Sequence, residues 1–344
     1  MKLRILRVDL PLKHVFTTSS KSNSVVRTII VELEQDGLRG HGEVHEDVFY
    51  GETIESMVEL LESCAERISR YALADTIAFG HFIDPILGKN YFARSAVDCA
   101  ACDLWGKLKD RPLYKIWGLS ADNLPYSSYS IGLDSLDRIA ERFDEMPDWP
   151  AYRIKLGDSS DMQILEMLRK KTRAPFRVDV NGGWSVNTAI GYLERLREFG
   201  VESIEQPLAP NDWNGMEKLR KAMEQMKIDI PIFADESWKT EDDMERCVGF
   251  FDGLNIKLAK CGGLTLARRV IDKARKLGFK LTSANSVEST VGVSAVAQLA
   301  SLFDYIAVDG PLLIEKKVGV GVWLDKGKLI YPKENGTGVR VTFR

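Results

Sequence analysis

The sequence predicts an α/β protein: a parallel (β/α)8 barrel of the TIM type, preceded by an α+β capping domain that the C-terminal segment completes. Three observations predict it. From about residue 125 short apolar strands alternate with helical stretches, the pattern of repeated βα units. The positions near the strand ends, 155, 179, 205, 235, 257, 285 and 309, are separated by 24, 26, 30, 22, 28 and 24 residues, the near-constant step of one unit repeated along the chain. Residues 1 to about 120 lack this rhythm and read as strands followed by helices. The expected division is 1–122 for the capping unit, 123–322 for the barrel and 323–344 for the returning segment.

In chain order, "SVVRTIIVELEQDGLRGHGEV" alternates apolar and polar residues around Asp36-Gly37, the signature of a hairpin. "ETIESMVELLESCAERI" places Met57, Leu60, Leu61 and Cys64 on one helical face. "FARSAVDCAACDLWGKLKDRPLYKIWGL" reads as a further helix that ends near Arg111-Pro112. "YSSYSIGLD" supplies the first barrel strand. "YRIKLG", "FRVDV", "VESIEQP", "IPIFADES", "GLNIKLAK", "FKLTSANS" and "YIAVDGP" bring the number to eight. Helical patterns lie between them, such as "TLARRVIDKARKLG" with Gly278 as its stop. "KLIYPK" and "GVRVTF" fall outside the repeat and are expected to return to the N-terminal unit.

Composition excludes several function classes. With 47 basic and 50 acidic side chains the net charge is −3, which gives no reason to expect nucleic acid or an acidic membrane as partner. No run approaches the ~18 apolar residues of a spanning helix, and "MKLRILRVDLPLKHVF" lacks the apolar centre of a signal peptide. The five cysteines (64, 99, 102, 247 and 261) are odd in number and scattered. Cys99 and Cys102 form a CxxC inside an Ala-rich helix, so buried free thiols are expected. Cytoplasm is the expected compartment.

The chemistry lies at the strand ends. "FRVDVNGGW" carries Asp179, "VESIE" ends in Glu205, and "IPIFAD" ends in Asp235. One such Asp alone reads as a turn former, but three acids ending consecutive strands share the mouth of a barrel, where functional residues sit. Three carboxylates that close repel one another, and a divalent cation is the simplest remedy. All-oxygen ligands favour Mg2+ before Mn2+ or Ca2+. Lys155 ends the strand before this trio and Lys257 the strand after it. Two bases flanking a metal-bound carboxylate can remove and return a proton on opposite faces of the adjacent carbon. A divalent metal stabilises the enediolate by charge, and the bases need pKa values brought towards neutrality. Arg153, on the same strand face as Lys155, would help lower that lysine. The four histidines (14, 41, 45 and 81) all precede the barrel, which argues against a histidine-ligated zinc hydrolase.

"GHGEV", "YGE", "ARSAVDCAACDLWGKLKDRPLYKIWG", "RIKLG", "DVNGGW", "IEQPL", "ADES" and "NIKLAKCGG", in this order, resemble the enolase superfamily. Within it they are similar to the muconate lactonising enzyme subgroup (the mandelate racemase/muconate lactonising enzyme family), closest to the dipeptide epimerases. The resemblance covers essentially the whole chain. It implies that Asp179, Glu205 and Asp235 bind Mg2+, one per subunit, with Mn2+ as a substitute, and that Lys155 and Lys257 are the acid/base pair. It also assigns substrate contacts to Arg153, Ser130, Asn285, Ser286, Val287 and Asp309, with Asn181 and Glu236 as supports beside the metal ligands. Two departures stand out. The second strand reads Arg153-Ile154-Lys155 where the family has Lys-x-Lys. The eighth reads Ala307-Val308-Asp309 where epimerases that hold a substrate ammonium have Asp-x-Asp, and Asp304 is out of register to replace the missing acid. Glu288 reads equally as a cap of the helix after strand seven. Loops 14–26 and 44–52, with Phe16, Lys21, His45, Phe49 and Tyr50, are expected to close over the barrel mouth.

The expected activity is that of a Mg2+-dependent isomerase, an epimerase or racemase working through an enediolate on a dipeptide or N-acylamino acid. The alternative is o-succinylbenzoate synthase or muconate-type cycloisomerase chemistry at the same site, and a non-catalytic ligand binder is a third reading. The partner is a small-molecule carboxylate, and a homo-oligomer stays open.

Overall fold

The computed structural model describes residues 1–284 and 286–342. The chain opens with β1 (Lys2–Thr17), β2 (Ser22–Gln35) and β3 (Leu38–His45), an antiparallel sheet in the order β1-β2-β3. Asp36 and Gly37 both take positive φ, 53° and 78°, as a two-residue hairpin turn requires. Helices α1 (Ile54–Ser69), α2 (Thr76–Leu87) and α3 (Tyr91–Leu108) pack on the sheet. Residues such as Ile29, Val31, Leu33, Met57, Leu61, Phe79 and Ala96 form the core between them. The glycines of "GHGEV" allow α3 to lie against β3: a Cβ at Gly40 or Gly42 would come within 2.2 Å of the Ala100 carbonyl or 2.1 Å of the Ala96 carbonyl. Cys99 and Cys102 are buried free thiols in α3, as are the other three cysteines elsewhere.

One expectation needs correction. Residues 14–26 are not an open loop but the tip of a long hairpin, with Phe16 opposite Asn23 and Thr17 opposite Ser22 beyond a bulge after Pro11. The polar run that reads as loop supplies strand residues for an exposed tip, where backbone pairing is enough and no apolar face is needed. Of residues 44–52, His45 ends β3, and a single 3-10 turn, Val48–Tyr50, follows with Asp47 as its cap.

The barrel strands are β4 (Tyr129–Ile131), β5 (Tyr152–Lys155), β6 (Phe176–Asp179), β7 (Val201–Glu205), β8 (Ile232–Ala234), β9 (Gly253–Asn255), β10 (Lys280–Ala284) and β11 (Tyr305–Ala307). They form one parallel sheet in chain order. A parallel bridge between Ser127 and Ile306 joins the two ends, where the Ser128 N–H donates to the Ile306 carbonyl at 2.9 Å. Ile154, Val178, Ile204, Ile232 and Leu254 take one strand face and join the core beneath the surrounding helices. The alternate residues point into the barrel.

Register aligns Lys155 with Asp179 and Asp179 with Glu205, so three chemistry-bearing residues share one layer. Two strands stop earlier than expected: Asp235 lies one residue past β8 and Lys257 two past β9. Beyond the barrel, β12 (Gly319–Val320) pairs with β15 (Arg340–Val341), and β13 (Trp323–Asp325) with β14 (Lys328–Ile330). Thr337 donates its N–H (2.8 Å) and hydroxyl (3.0 Å) to Asp103 of α3, while the Ser127 N–H donates to the Gly327 carbonyl at 2.7 Å.

Two buried acids fasten the N-terminal unit to the barrel. Glu43 of β3 accepts from the Ser289 N–H (3.0 Å), the Ser289 hydroxyl (2.5 Å) and the Gly292 N–H (2.9 Å). Burial raises the Glu43 pKa, and these hydrogen bonds, at the N-terminus of the helix Thr290–Ala297, oppose the rise. Asp98 of α3 accepts from the Thr265 N–H at 2.8 Å, and its neighbour Arg94 donates to the Gly262 carbonyl at 2.6 Å. The helix after β10 is capped by Ser289, which accepts from the Val291 N–H. Glu288 is therefore not its cap, because Ser289 already holds that position.

Candidate active site

Asp179, Glu205 and Asp235 are buried side by side at one end of the barrel. The left-handed backbone at Asn181 (φ 47°) and Gln206 (φ 41°) turns the chain away just after two of them. Such a φ is costly for a residue like Gln, and here the side chain is fixed by hydrogen bonds. Gln206 Nε2 donates to the Leu208 carbonyl and Ser237 Oγ (both 2.8 Å), and Oε1 accepts from the N–H groups of Asp235 (3.1 Å) and Ser237 (3.0 Å). One side chain thus ties the end of β7 to the loop that carries Asp235.

On one side of the mouth, Arg153 donates to Asp179 and, at 2.9 Å, to Glu205. Lys155 donates to Asp179 at 2.6 Å and to Asn181 Oδ1 at 3.0 Å. Burial pulls the Lys155 pKa below the ordinary lysine value, and the Arg153 charge adds to the effect. This is the direction a base requires. Asp179 is held low: burial opposes this, but Lys155 and Arg153 outweigh it. Glu205 is pushed up by burial despite Arg153.

The other side is arranged differently. Lys257 Nζ lies 2.6 Å from Asp235 Oδ2, and Lys260 donates to Asp235 Oδ1 at 2.8 Å. Burial pulls Lys257 down, but Asp235, then Tyr50 and Glu236, outweigh it and hold the ammonium well above its ordinary value. That departs from the expectation that both bases are brought towards neutrality: an intimate anion partner stabilises the cation more than burial disfavours it. Glu236 is raised to about 7 by burial and then by the neighbouring Asp235 and Asp179. Its Oε1 accepts from Asn181 Nδ2 at 3.0 Å.

Among the described residues no three acidic, histidine or cysteine side chains converge on one point, since Arg153 bridges two of the acids and lysines take the third. The donor set nonetheless fits a hard divalent cation. It is all oxygen, buried, and drawn from three neighbouring strands. Asp235 Oδ2 has only Lys257 against it, without good hydrogen-bond geometry, and Glu236 Oε2 is buried without a hydrogen-bond partner.

The remaining sequence-predicted residues divide. Asp309 and Ser130 meet across the seam between β11 and β4. The Ser130 N–H (2.6 Å) and hydroxyl (2.9 Å) both donate to the Asp309 carboxylate, which burial raises in pKa. Asp309 thus has a fixed partner across the barrel seam. Val287 packs among Leu10, Leu12, Ile30 and Val291, so its side chain belongs to the interface with the N-terminal sheet. Ser286 is half-buried, and Asn285 lies outside the described residues.

The N-terminal unit does reach the mouth. Ser19 Oγ donates to the Val180 carbonyl at 2.9 Å, one residue past Asp179. Lys21 pairs with Asp47 at 3.4 Å. The ammonium of Lys239 lies 5.0 Å from the ring centroid of Phe49 and 5.7 Å from that of Tyr50, whose buried hydroxyl has no hydrogen-bond partner. His45 is buried 3.9 Å from Glu288, and burial lowers its pKa to about 4. Phe16 sits beside Gly132, just past the first barrel strand.

Sequence reasoning missed three residues. Asn255 donates to Glu205 Oε1 at 2.7 Å and to the Ala284 carbonyl at 3.0 Å. Its position two before Lys257, on the same strand face, was the available signal. Lys260, three past Lys257, and Gln206, next to Glu205, could have been found the same way.

Fold and site together define a barrel enzyme with an N-terminal cap and an acid-and-lysine mouth, and the chain belongs to the mandelate racemase/muconate lactonizing enzyme family. Residues 1–118 match the N-terminal domain of that family and residues 136–344 match the enolase C-terminal domain-like model. An L-Ala-D/L-amino acid epimerase of a Maribacter species is 41% identical over 98% of this chain and 99% of its own length. A second protein of that name, from Flavobacterium johnsoniae, is 38% identical over 98% and 99%. Among solved structures, the dipeptide epimerase of Cytophaga hutchinsonii, in complex with Mg and the dipeptide D-Ala-L-Val, superposes with a TM-score of 0.90 at 25% identity, covering 99% of this chain and 95% of that one.

Proposed function

We propose that this chain is a Mg2+-dependent dipeptide epimerase, an isomerase that inverts the carbon next to the free carboxylate of dipeptides whose first residue is L-Ala. The observation that carries the reading is the pair of lysines, Lys155 and Lys257, flanking three buried acids on the strands between them. The names of the Maribacter and Flavobacterium relatives support the L-Ala preference.

In this reading Asp179, Glu205 and Asp235 hold the cation, with Asn181 and Glu236 beside them. Mg2+, or Mn2+ in its place, one per subunit, would supply positive charge to the substrate carboxylate as its α-proton leaves. Lys155 takes or returns the proton on one face of the carbon and Lys257 on the other. Arg153 keeps the Lys155 side cationic and stays paired with Asp179 and Glu205. Asp309 has a lone pair left on each oxygen after binding Ser130 and receives the dipeptide ammonium. Ser130 and Ser286 line the substrate beside it. Ser19, Phe49 and Tyr50 exclude water from above.

Cycloisomerisation and elimination are not favoured, since the relatives of 38% and 41% identity that span nearly the whole chain are named epimerases. We read 1–122 as the cap, 123–322 as the barrel and 323–344 as the returning segment. Among the described residues no helix is long and apolar enough to cross a membrane. Five free thiols suit a reducing cytoplasm, and a homo-oligomer is compatible with this architecture.

The test is incubation with Mg2+ and pooled L,L-dipeptides in D2O, followed by mass spectrometry. The expected result is deuterium uptake into a subset led by L-Ala-X dipeptides, abolished when both lysines are replaced by alanine. No uptake into any dipeptide would sink the reading.

A further inference from the structure

Lys260 is among the most deeply buried charges of the barrel: its side chain is 1% exposed, against 18% for Lys257. All three of its N–H groups have acceptors. They are Asp235 Oδ1 (2.8 Å), the Asp235 carbonyl (2.9 Å) and, more weakly, the Trp238 carbonyl (3.4 Å). The indole of Trp238 covers the ammonium, with its centroid 4.1 Å away. Lys257 touches the same carboxylate on its other oxygen, at 2.6 Å, but that oxygen makes no hydrogen bond of good geometry.

One helical turn, Leu258–Cys261 with Lys257 at its N-cap, therefore delivers two ammonium groups, three residues apart, to opposite oxygens of one acid. The first is partly exposed and touches one carboxylate oxygen; the second is caged. Arg94 of the N-terminal unit fixes the end of this turn by donating to the Gly262 carbonyl.

We propose that Lys260 is a positioning residue that permanently occupies Asp235 Oδ1, so that Oδ2 always faces the barrel mouth and Lys257 is not drawn into a closed two-point pair with Asp235. Lys260 touches no substrate and acts through Asp235 and Lys257. The inference deepens the epimerase reading and rests on it. In that reading Lys257 serves one epimer and Lys155 the other, so disturbing Asp235 alone should slow the two directions unequally. A purely structural lysine would affect both alike.

The experiment follows initial deuterium uptake in D2O with Mg2+, starting separately from L-Ala-L-X and L-Ala-D-X for the best substrate found. Lys257→Ala identifies the epimer that depends on Lys257. In Lys260→Gln, which keeps hydrogen bonding and removes the charge, exchange from that epimer should fall at least tenfold more than exchange from the other. In Lys260→Arg the ratio should stay within threefold of the parent. Equal slowing of both epimers, or no slowing, overturns the proposal. Lys260→Met serves the same purpose should the Gln variant fail to fold.

A second measurement needs no substrate. Calorimetric titration with Mg2+ alone should give a dissociation constant at least fivefold weaker in Lys260→Gln and within twofold of the parent in Lys260→Arg, because Asp235 no longer presents a fixed oxygen. An unchanged or tighter constant in Lys260→Gln overturns the proposal even where no dipeptide reacts. Absence of exchange in the parent protein, by contrast, counts against the epimerase reading itself.

Discussion

The two flanks of the barrel mouth carry the same kind of group and hold it differently. Lys155 is a strand residue in register with Asp179, beside an arginine that repels its charge and in a setting that lowers its pKa. Lys257 lies beyond the end of its strand, at the start of a helical turn, against an acid that stabilises its charge. Near mirror symmetry in function does not require symmetry in construction.

The largest test of that comparison is to remove each lysine. Lys155→Ala and Lys257→Ala should each reduce epimerisation by about 10^3-fold or more, in line with the upper range for a positioned acid or base, measured by polarimetry. Each should retain proton exchange with a different epimer; retention of both by either variant would break the two-base picture. Withdrawing Mg2+ with a chelator should cost activity by a similar factor and be reversed by Mg2+ or Mn2+. Undiminished turnover in the chelator would refute a metal-dependent mechanism.

Smaller effects separate the flanks further. Arg153→Met leaves Asp179 and Glu205 short of a buried partner, which should destabilise the metal-free protein by about 3 kcal/mol. Mg2+ should restore part of the lost Tm in a thermal melt, whereas equal melting of variant and parent would show that Arg153 is dispensable. Asn255→Ala frees Glu205 Oε1 and should weaken Mg2+ binding about tenfold by calorimetry. Ser19→Ala removes one hydrogen bond between the hairpin tip and Val180, a loss of about 1 kcal/mol. It should raise KM several-fold and leave kcat nearly unchanged; a fall in kcat alone would deny the tip its covering role.

What could be read from the chain follows the same division. Lys155, Asp179 and Glu205 were legible because strand period and repeat spacing fix both their face and their layer. Asp235 and Lys257 were legible by spacing, although their strands end early, because the repeat length tolerates a residue or two of loop. Asn255, Gln206 and Lys260 were marked only by their nearness to Lys257 and Glu205, and the partner each acts on is brought near by the closed barrel. The contact between Ser130 and Asp309 joins strands that are 179 residues apart in sequence, and no local pattern announces it. The hairpin at 14–26 was hidden because an exposed pair of strands needs no alternating apolar face.

The grip of α3 on the barrel bears on how such proteins can be rebuilt. Arg94 and Asp98 hold the Gly262–Thr265 bend, and a side chain at Gly263 would collide with Asp98 at 2.4 Å. This bend directly follows the turn that bears Lys257 and Lys260. The N-terminal unit is therefore not a cassette that can be exchanged to install a new specificity: a transplanted cap without this arginine and aspartate would leave one of the two proton-transfer groups without its anchor. A chimera should keep α3 with its native barrel and vary only the hairpin tip and the turn at Val48–Tyr50.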